Sequence, residues 1–81
     1  MTVKDDIRRY LVANGSYQGA EHELTDEREL ITEEILDSLG LYQLVSYLEE
    51  HFGVEVDDEE LVYENFATVA DIAQLVATKL S

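Results

Sequence analysis

The 81-residue chain has no cysteine, no proline and no tryptophan, and only five basic side chains stand against nineteen acidic ones. Without cysteine there is no disulfide framework, no thiolate nucleophile and no thiolate metal site, so any sulfur chemistry must be imported on another molecule. No apolar run approaches the ~20 residues needed to cross a bilayer, and the first residues lack the charged and apolar regions of a secretory leader. The expectation is a soluble cytoplasmic protein. A formal net charge of −14 repels nucleic-acid phosphates and anionic membranes, which excludes both as partners and favours proteins that present Lys and Arg patches. The absence of proline, together with the absence of any sustained β-branched alternation, leaves helices as the building material.

What is present is a set of amphipathic runs with recognisable ends. Thr2-Val3-Lys4-Asp5 resembles a weak capping box, Val3, Ile7, Tyr10 and Leu11 follow at helical spacing, and Asn14-Gly15 supplies a stop. From Ser16 to Glu34 the pattern dissolves into polar and acidic residues. A connection this long is uncommon in a compact domain and usually has a function. Leu24, Leu30 and Ile31 are placed to pin it to the core, and Thr25 to start a helical turn within it. The second helix runs from Ser38 to Phe52 and ends at Gly53. Val54-Glu55-Val56 is too short to argue for a sheet. The acids Asp57 to Glu60 suit the start of a short helix continuing through Leu61, Val62 and Tyr63 and closed by Asn65. Phe66 anchors the next connection, Thr68-Val69-Ala70-Asp71 is another capping-box variant, and Val69, Ile72, Ala73, Val76 and Leu80 mark the last helix. The predicted fold is all-α: residues 1–81 as one domain, a small four-helix bundle of three main helices plus one short one, monomeric, with a single core.

The most informative stretch is Asp37-Ser38-Leu39, where the acidic connection gives way to the strongest amphipathic run. With Ser38 as N-cap or first residue of a helix turning about 100° per residue, Leu41, Leu44, Val45, Leu48 and Phe52 fall on the core face. Ser38, Leu39, Tyr42, Ser46, Glu49 and Glu50 share the opposite side. Two apolar side chains are thus exposed beside a serine on an otherwise acidic surface, for which a purely structural helix has little reason. A phosphate ester on Ser38 would lie against free backbone N–H groups and the positive end of the helix dipole. Gly40 costs roughly 1 kcal/mol relative to alanine in a helix, which points to a close approach or a bend.

These residues resemble the acyl and peptidyl carrier proteins, which bear a 4′-phosphopantetheine arm on the serine of a D-S-L motif. The resemblance spans essentially the whole chain, from the first helix and the long connection through Asp37-Ser38-Leu39 and Leu48-Glu49-Glu50-His51-Phe52-Gly53 to Phe66-Ala67-Thr68-Val69-Ala70-Asp71-Ile72. It implies that a phosphopantetheinyl transferase moves the arm from coenzyme A to Ser38, with Asp37 as the motif acid, and that the arm's thiol holds an acyl or aminoacyl cargo as a thioester. It further implies that Leu39, Tyr42, Ser46, Glu49 and Glu50 are presented to partner enzymes. Many fatty-acid carriers have a glycine two residues before the motif aspartate and an acid soon after the leucine, whereas here those places hold Ile35 and Gly40. In this respect the chain looks more like free-standing carriers served by adenylate-forming ligases and downstream transferases or synthases, in aminoacyl transfer or specialised polyketide or nonribosomal-peptide biosynthesis.

Competing readings are weaker. A nucleophile–base pair of Ser38 and His51 fails on geometry, because thirteen helical residues separate them by roughly 20 Å. His22 has nothing to orient it, and the run Asp57 to Glu60 lacks the spacing and central glycine of an EF-hand, so no catalytic residue and no metal site is assigned. The remaining alternative is a non-catalytic acidic docking module, in which Ser38 merely caps its helix.

Overall fold

A computed structural model of the protein describes residues 2–80. Among them are four helices: α1 (Val3–Ala13), α2 (Ser38–Phe52), α3 (Tyr63–Phe66) and α4 (Val69–Leu80), with no strand. Each begins or ends for a local reason. Thr2 caps α1, its hydroxyl accepting from the Asp5 N–H at 3.2 Å, and Gly15 turns the chain away at φ 86°. Gly53 takes the left-handed position after α2, and the Thr68 hydroxyl accepts from the Asp71 N–H at 3.1 Å at the start of α4. The last two follow the usual chemistry of glycine after a helix and threonine before one.

The core is assembled from every segment. Ile7 and Leu11 of α1, Leu44 and Leu48 of α2, Phe66 of α3, and Val69, Ile72 and Val76 of α4 are fully buried. Leu24 and Leu30, from the long connection, are buried just as completely, and Ile31 packs at the margin. The connection is therefore part of the core. Its own local structure is a 3₁₀ turn at Glu21–Glu23 and a single turn closed by the Arg28 N–H on the Thr25 carbonyl.

Two expectations, the extent of the short helix and the role of Asn65, are corrected. The anticipated short helix over residues 57–63 is split: a 3₁₀ turn occupies Asp58–Glu60, Val62 is extended, and α3 begins only at Tyr63. The break lets Leu61 turn inward against the core, and Asn65 donates its side-chain amide back to the Glu60 carbonyl at 2.9 Å instead of ending the helix. Leu80 is 53% exposed, whereas Leu75 is buried, because α4 is covered on two sides, by α1 and α3, and its apolar face is wider than one stripe. On α2 the fully enclosed positions are Gly40, Leu44 and Leu48, with Leu41, Val45 and Phe52 half-buried. Tyr47 joins them at the margin, stacked on Tyr10 with ring centres 4.2 Å apart and on His51 at 4.9 Å. That stack fastens α2 to α1, and the Tyr47 hydroxyl donates to the Asp6 carbonyl at 3.3 Å.

Asp26 ties three elements together. Its carboxylate accepts from Arg8 Nη1 at 2.7 Å and Lys4 Nζ at 3.0 Å, both on α1, while its carbonyl accepts from the Ala70 N–H of α4 at 2.9 Å. The hydrogen bond from Arg8, then that from Lys4, holds the Asp26 carboxyl below the usual aspartate range. A carboxylate whose pKa is lower folded than unfolded adds stability above its unfolded pKa and loses it as pH falls through the folded one. Asp26→Asn is accordingly expected to lower the thermal midpoint at pH 7, with the difference from the parent protein shrinking as pH is taken below about 4. A difference that stays constant across a pH series of melting curves would refute the ionic contribution.

Candidate functional site

The approach to α2 is built by the last turn of the long connection. The Glu33 N–H reaches the Glu29 carbonyl, the Glu34 N–H the Ile31 carbonyl at 3.0 Å, and the Ile35 N–H the Leu30 carbonyl at 2.8 Å. This pair of closing bonds is a Schellman motif. Its left-handed position is held by Glu34, at φ 59°, where glycine is usual. Leu30 fixes the turn in space, since its side chain is fully buried and its own N–H donates to the Ala67 carbonyl at 2.8 Å. Ile35 is half-buried against the core, so the residue that replaces a glycine found in many fatty-acid carriers is used for packing.

Asp37, not Ser38, is the N-cap of α2. Its backbone is extended, its Oδ1 accepts from the Gly40 N–H at 2.7 Å, and its carbonyl accepts from the Leu41 N–H at 2.8 Å. This explains Gly40: a Cβ there would lie 3.1 Å from Asp37 Oδ1 and 3.6 Å from Leu36 Cδ2. Ser38 is left as the first helical residue, exposed, with no hydrogen bond to its hydroxyl among the described residues. The N–H groups of Ser38 and Leu39 likewise have no acceptor among those residues. A free hydroxyl open to esterification, beside two free N–H donors at the positive end of a 15-residue helix, is an arrangement that favours a phosphate group.

Around it the surface is largely as the sequence implies. Leu39 is 67% and Tyr42 62% exposed, and Ser46 and Glu50 face solvent. Glu49 is a correction: it is half-buried, and its Oε2 accepts from the Val56 N–H at 3.0 Å, because the chain after Gly53 folds back along α2. Tyr63 is exposed on α3 and shares a 3.2 Å hydrogen bond with the Thr32 hydroxyl. Two grooves flank the start of α2. One, of about 270 Å³, runs past Asn14, Ser16 and Gln43, and the other, of about 320 Å³, past Ile31, Leu36, Ser38 and Leu41. A wider groove of about 620 Å³ lies apart from Ser38, and Arg8 in its wall is committed to Asp5 and Asp26.

Sequence reasoning missed two features here. One is the left-handed Glu34, for which the only sequence signal is the apolar pair Leu30 and Ile35 bracketing a polar turn, as a Schellman motif has it. The other is the role of Arg28, which spans the connection: Nε lies 2.9 Å from Glu33 Oε1, Nη1 donates to the Tyr17 hydroxyl and the Glu23 carbonyl, and the guanidinium sits 5.1 Å from the Tyr17 ring centre. The Tyr17 hydroxyl in turn donates to Glu23, and that bond, followed by one from the Ala20 N–H, holds the Glu23 carboxyl below its usual range.

Residues 19–76 match the family model described as "Phosphopantetheine attachment site". The chain belongs to the phosphopantetheine-binding carrier proteins. It is 33% identical over 78 residues to an acyl carrier protein of Wolinella succinogenes, covering 96% of this chain and 97% of that one. With an acyl carrier protein of Thermotoga maritima it shares 43% identity over 60 residues, 74% of this chain and 72% of the relative. Its backbone is similar to the solution structure of a holo acyl carrier protein from Nitrosomonas europaea, with a TM-score of 0.80, 29% identity and coverage of 99% and 98% of the two chains. As a member of this family it is a carrier and not a catalyst, its cofactor is covalently bound 4′-phosphopantetheine, and its partners are a phosphopantetheinyl transferase and acyl-handling enzymes.

The left-handed Glu34 has a measurable cost. A non-glycine residue in this region is strained by roughly 1–2 kcal/mol, of which a glycine's greater unfolded-state freedom returns part. Glu34→Gly is expected to raise unfolding free energy by about 1 kcal/mol in a urea titration, and Glu34→Val, β-branched, to lower it. A carrier destabilised by Glu34→Gly would overturn the strain argument.

Proposed function

We propose that Ser38 is the residue that takes the 4′-phosphopantetheine arm, and that the loaded carrier shuttles an acyl or aminoacyl group between enzymes. The observation that carries this reading is the division of labour at the start of α2: Asp37 does the capping, which leaves the exposed Ser38 hydroxyl and two backbone N–H groups without intrachain duties. When bound, the arm supplies the thiol that this cysteine-free chain lacks and holds cargo as a thioester. Ser38 and Leu39 would hold the phosphodiester through their N–H groups, and Asp37 would keep the helix end in shape.

The proposal extends to the pathway. Ile35 and Gly40, at two places where many fatty-acid carriers differ, support a carrier loaded by an adenylate-forming ligase in aminoacyl transfer or specialised polyketide or nonribosomal-peptide biosynthesis, acting as a cytoplasmic monomer. Leu39, Tyr42, Ser46, Glu49 and Glu50 form the face offered to partner enzymes, with the acids attracting basic patches and setting on-rate more than affinity.

Incubation with coenzyme A, Mg²⁺ and a promiscuous phosphopantetheinyl transferase should add one phosphopantetheine to the intact mass of the folded protein and nothing to Ser38→Ala. Full loading of the alanine variant would refute the assignment. Charge reversal separates the two glutamates. Glu50→Lys is expected to slow loading about tenfold at low ionic strength with an unchanged thermal midpoint. Glu49→Lys should slow loading and also destabilise the fold by about 1–2 kcal/mol, since it strands the Val56 N–H. Loading rates that ignore both charges would remove α2's acids from the partner surface.

A further inference from the structure

Asn14 is followed by Gly15, whose backbone nitrogen no side chain screens. Asparagine in that setting is chemically unstable. The deprotonated backbone nitrogen of the following residue attacks the side-chain carbonyl carbon, a new C–N bond closes a five-membered succinimide, and the side-chain nitrogen leaves as ammonia. Water then opens the ring at either carbonyl, which leaves aspartate or, with the side-chain carbon drawn into the main chain, isoaspartate. Water is consumed and ammonia released, so the conversion needs neither an enzyme nor a cofactor. Asn14 and Gly15 are both exposed at the end of α1, and nothing lies within 4 Å of the place where a Cβ on Gly15 would stand.

The native turn opposes ring closure without locking it. Asn14 has ψ 3°, so the Gly15 nitrogen eclipses that of Asn14 and must swing by about 120° to reach the Cβ side. The Gly15 N–H is spent on the Val12 carbonyl at 3.2 Å, and the Asn14 Oδ1 accepts from the Ser16 N–H at 3.0 Å. These bonds sit at an exposed helix end, where local opening is least costly.

We propose that Asn14 deamidates spontaneously in the folded carrier, through openings of the last turn of α1, and so adds a carboxylate to the groove of about 270 Å³ beside the start of α2. Glu34 and Asp37 already line that groove, with Ile35 and Leu39 as its apolar part, and no basic side chain stands in the last turn of α1. The new charge therefore meets like charges and the negative end of the α1 dipole. The aspartate product keeps an oxygen for the Ser16 N–H. The isoaspartate product does more, because it inserts a main-chain carbon into the turn across which the Tyr17 N–H reaches back to the Leu11 carbonyl at 3.0 Å. Asn65, the other asparagine of the chain, is an internal control: it is followed by the bulky Phe66, and its side-chain amide donates to the Glu60 carbonyl at 2.9 Å.

The test is to hold the folded protein under mildly alkaline conditions, with a parallel sample in denaturing urea, and to follow both by peptide mapping. Isoaspartate is counted by methyl transfer from S-adenosylmethionine with a protein isoaspartyl methyltransferase. The expected result is a gain of about one dalton confined to the peptide holding Asn14, with methyl-accepting isoaspartate and with Asn65 intact in the folded sample. The folded rate should be about tenfold below that in urea, and Asn14→Ser should abolish the signal. The isoaspartate fraction, separated by anion exchange, should melt several degrees below the parent protein. An Asn14 that stays intact in the folded sample while converting in urea overturns the proposal, since the turn then forbids ring closure. Equal rates in the two samples overturn the part played by the turn, and an isoaspartate fraction that melts with the parent overturns the structural consequence.

Discussion

The molecule depends on Leu30. It is a single residue in the middle of a polar, acidic connection, yet its side chain is fully enclosed, its N–H donates to Ala67 and its carbonyl receives both Ile35 and Leu36. Ala67 belongs to the junction of α3 and α4, so one residue anchors the connection to the far side of the bundle and at the same moment aims the chain into α2. Asp37 and Ser38 are set in place as a consequence. Had the connection merely crossed the surface, the start of α2 would be free to fray, as helix ends without tertiary support do. The buried Leu24 and the ion pairs of Asp26 hold the first half of the connection to α1 in the same manner.

Charge sets the second constraint. Sixteen of the nineteen acids lie between residues 21 and 64, and Arg28 is the only Lys or Arg in that span. The structure spends that cation internally, on Tyr17, Glu23 and Glu33, and Arg8 and Lys4 are drawn to Asp26. Lys79 closes on Glu60 at 2.6 Å. Basic side chains are thus used to fasten loops, and Leu39, Tyr42 and, further along the helix, Glu50 stay exposed on α2, where the negative field would serve the proposed encounter with partner enzymes. An apolar pair set in an acidic surface suits contacts that form quickly and dissolve quickly, the behaviour a carrier needs.

The helices were legible because their signals are local. Thr2 and Asn14-Gly15 mark α1, Gly53 marks the end of α2 and Thr68 the start of α4, and each works through a hydrogen bond or a backbone angle that a few adjacent residues decide. The places where the pattern misled are those where distant atoms intervene. Glu49 has the right angle to be exposed but is met by Val56 from the returning chain. The acids at 57–60 suit a helix start, yet Leu61 finds more apolar contact by turning inward, and the helix is cut in two.

By itself the sequence determined the class of fold, the family resemblance and the stretch that matters, since periodicity, caps and the D-S-L motif are properties of neighbours along the chain. It also determined that sulfur chemistry must be imported. Only the tertiary structure decided which residue caps α2. The choice between Asp37 and Ser38 turns on where the incoming backbone points, and that is fixed by Leu30 reaching Ala67 across the bundle and by Glu34 accepting a left-handed turn. The freedom of the serine hydroxyl is therefore a long-range result, written by a buried leucine and a strained glutamate several residues away from it.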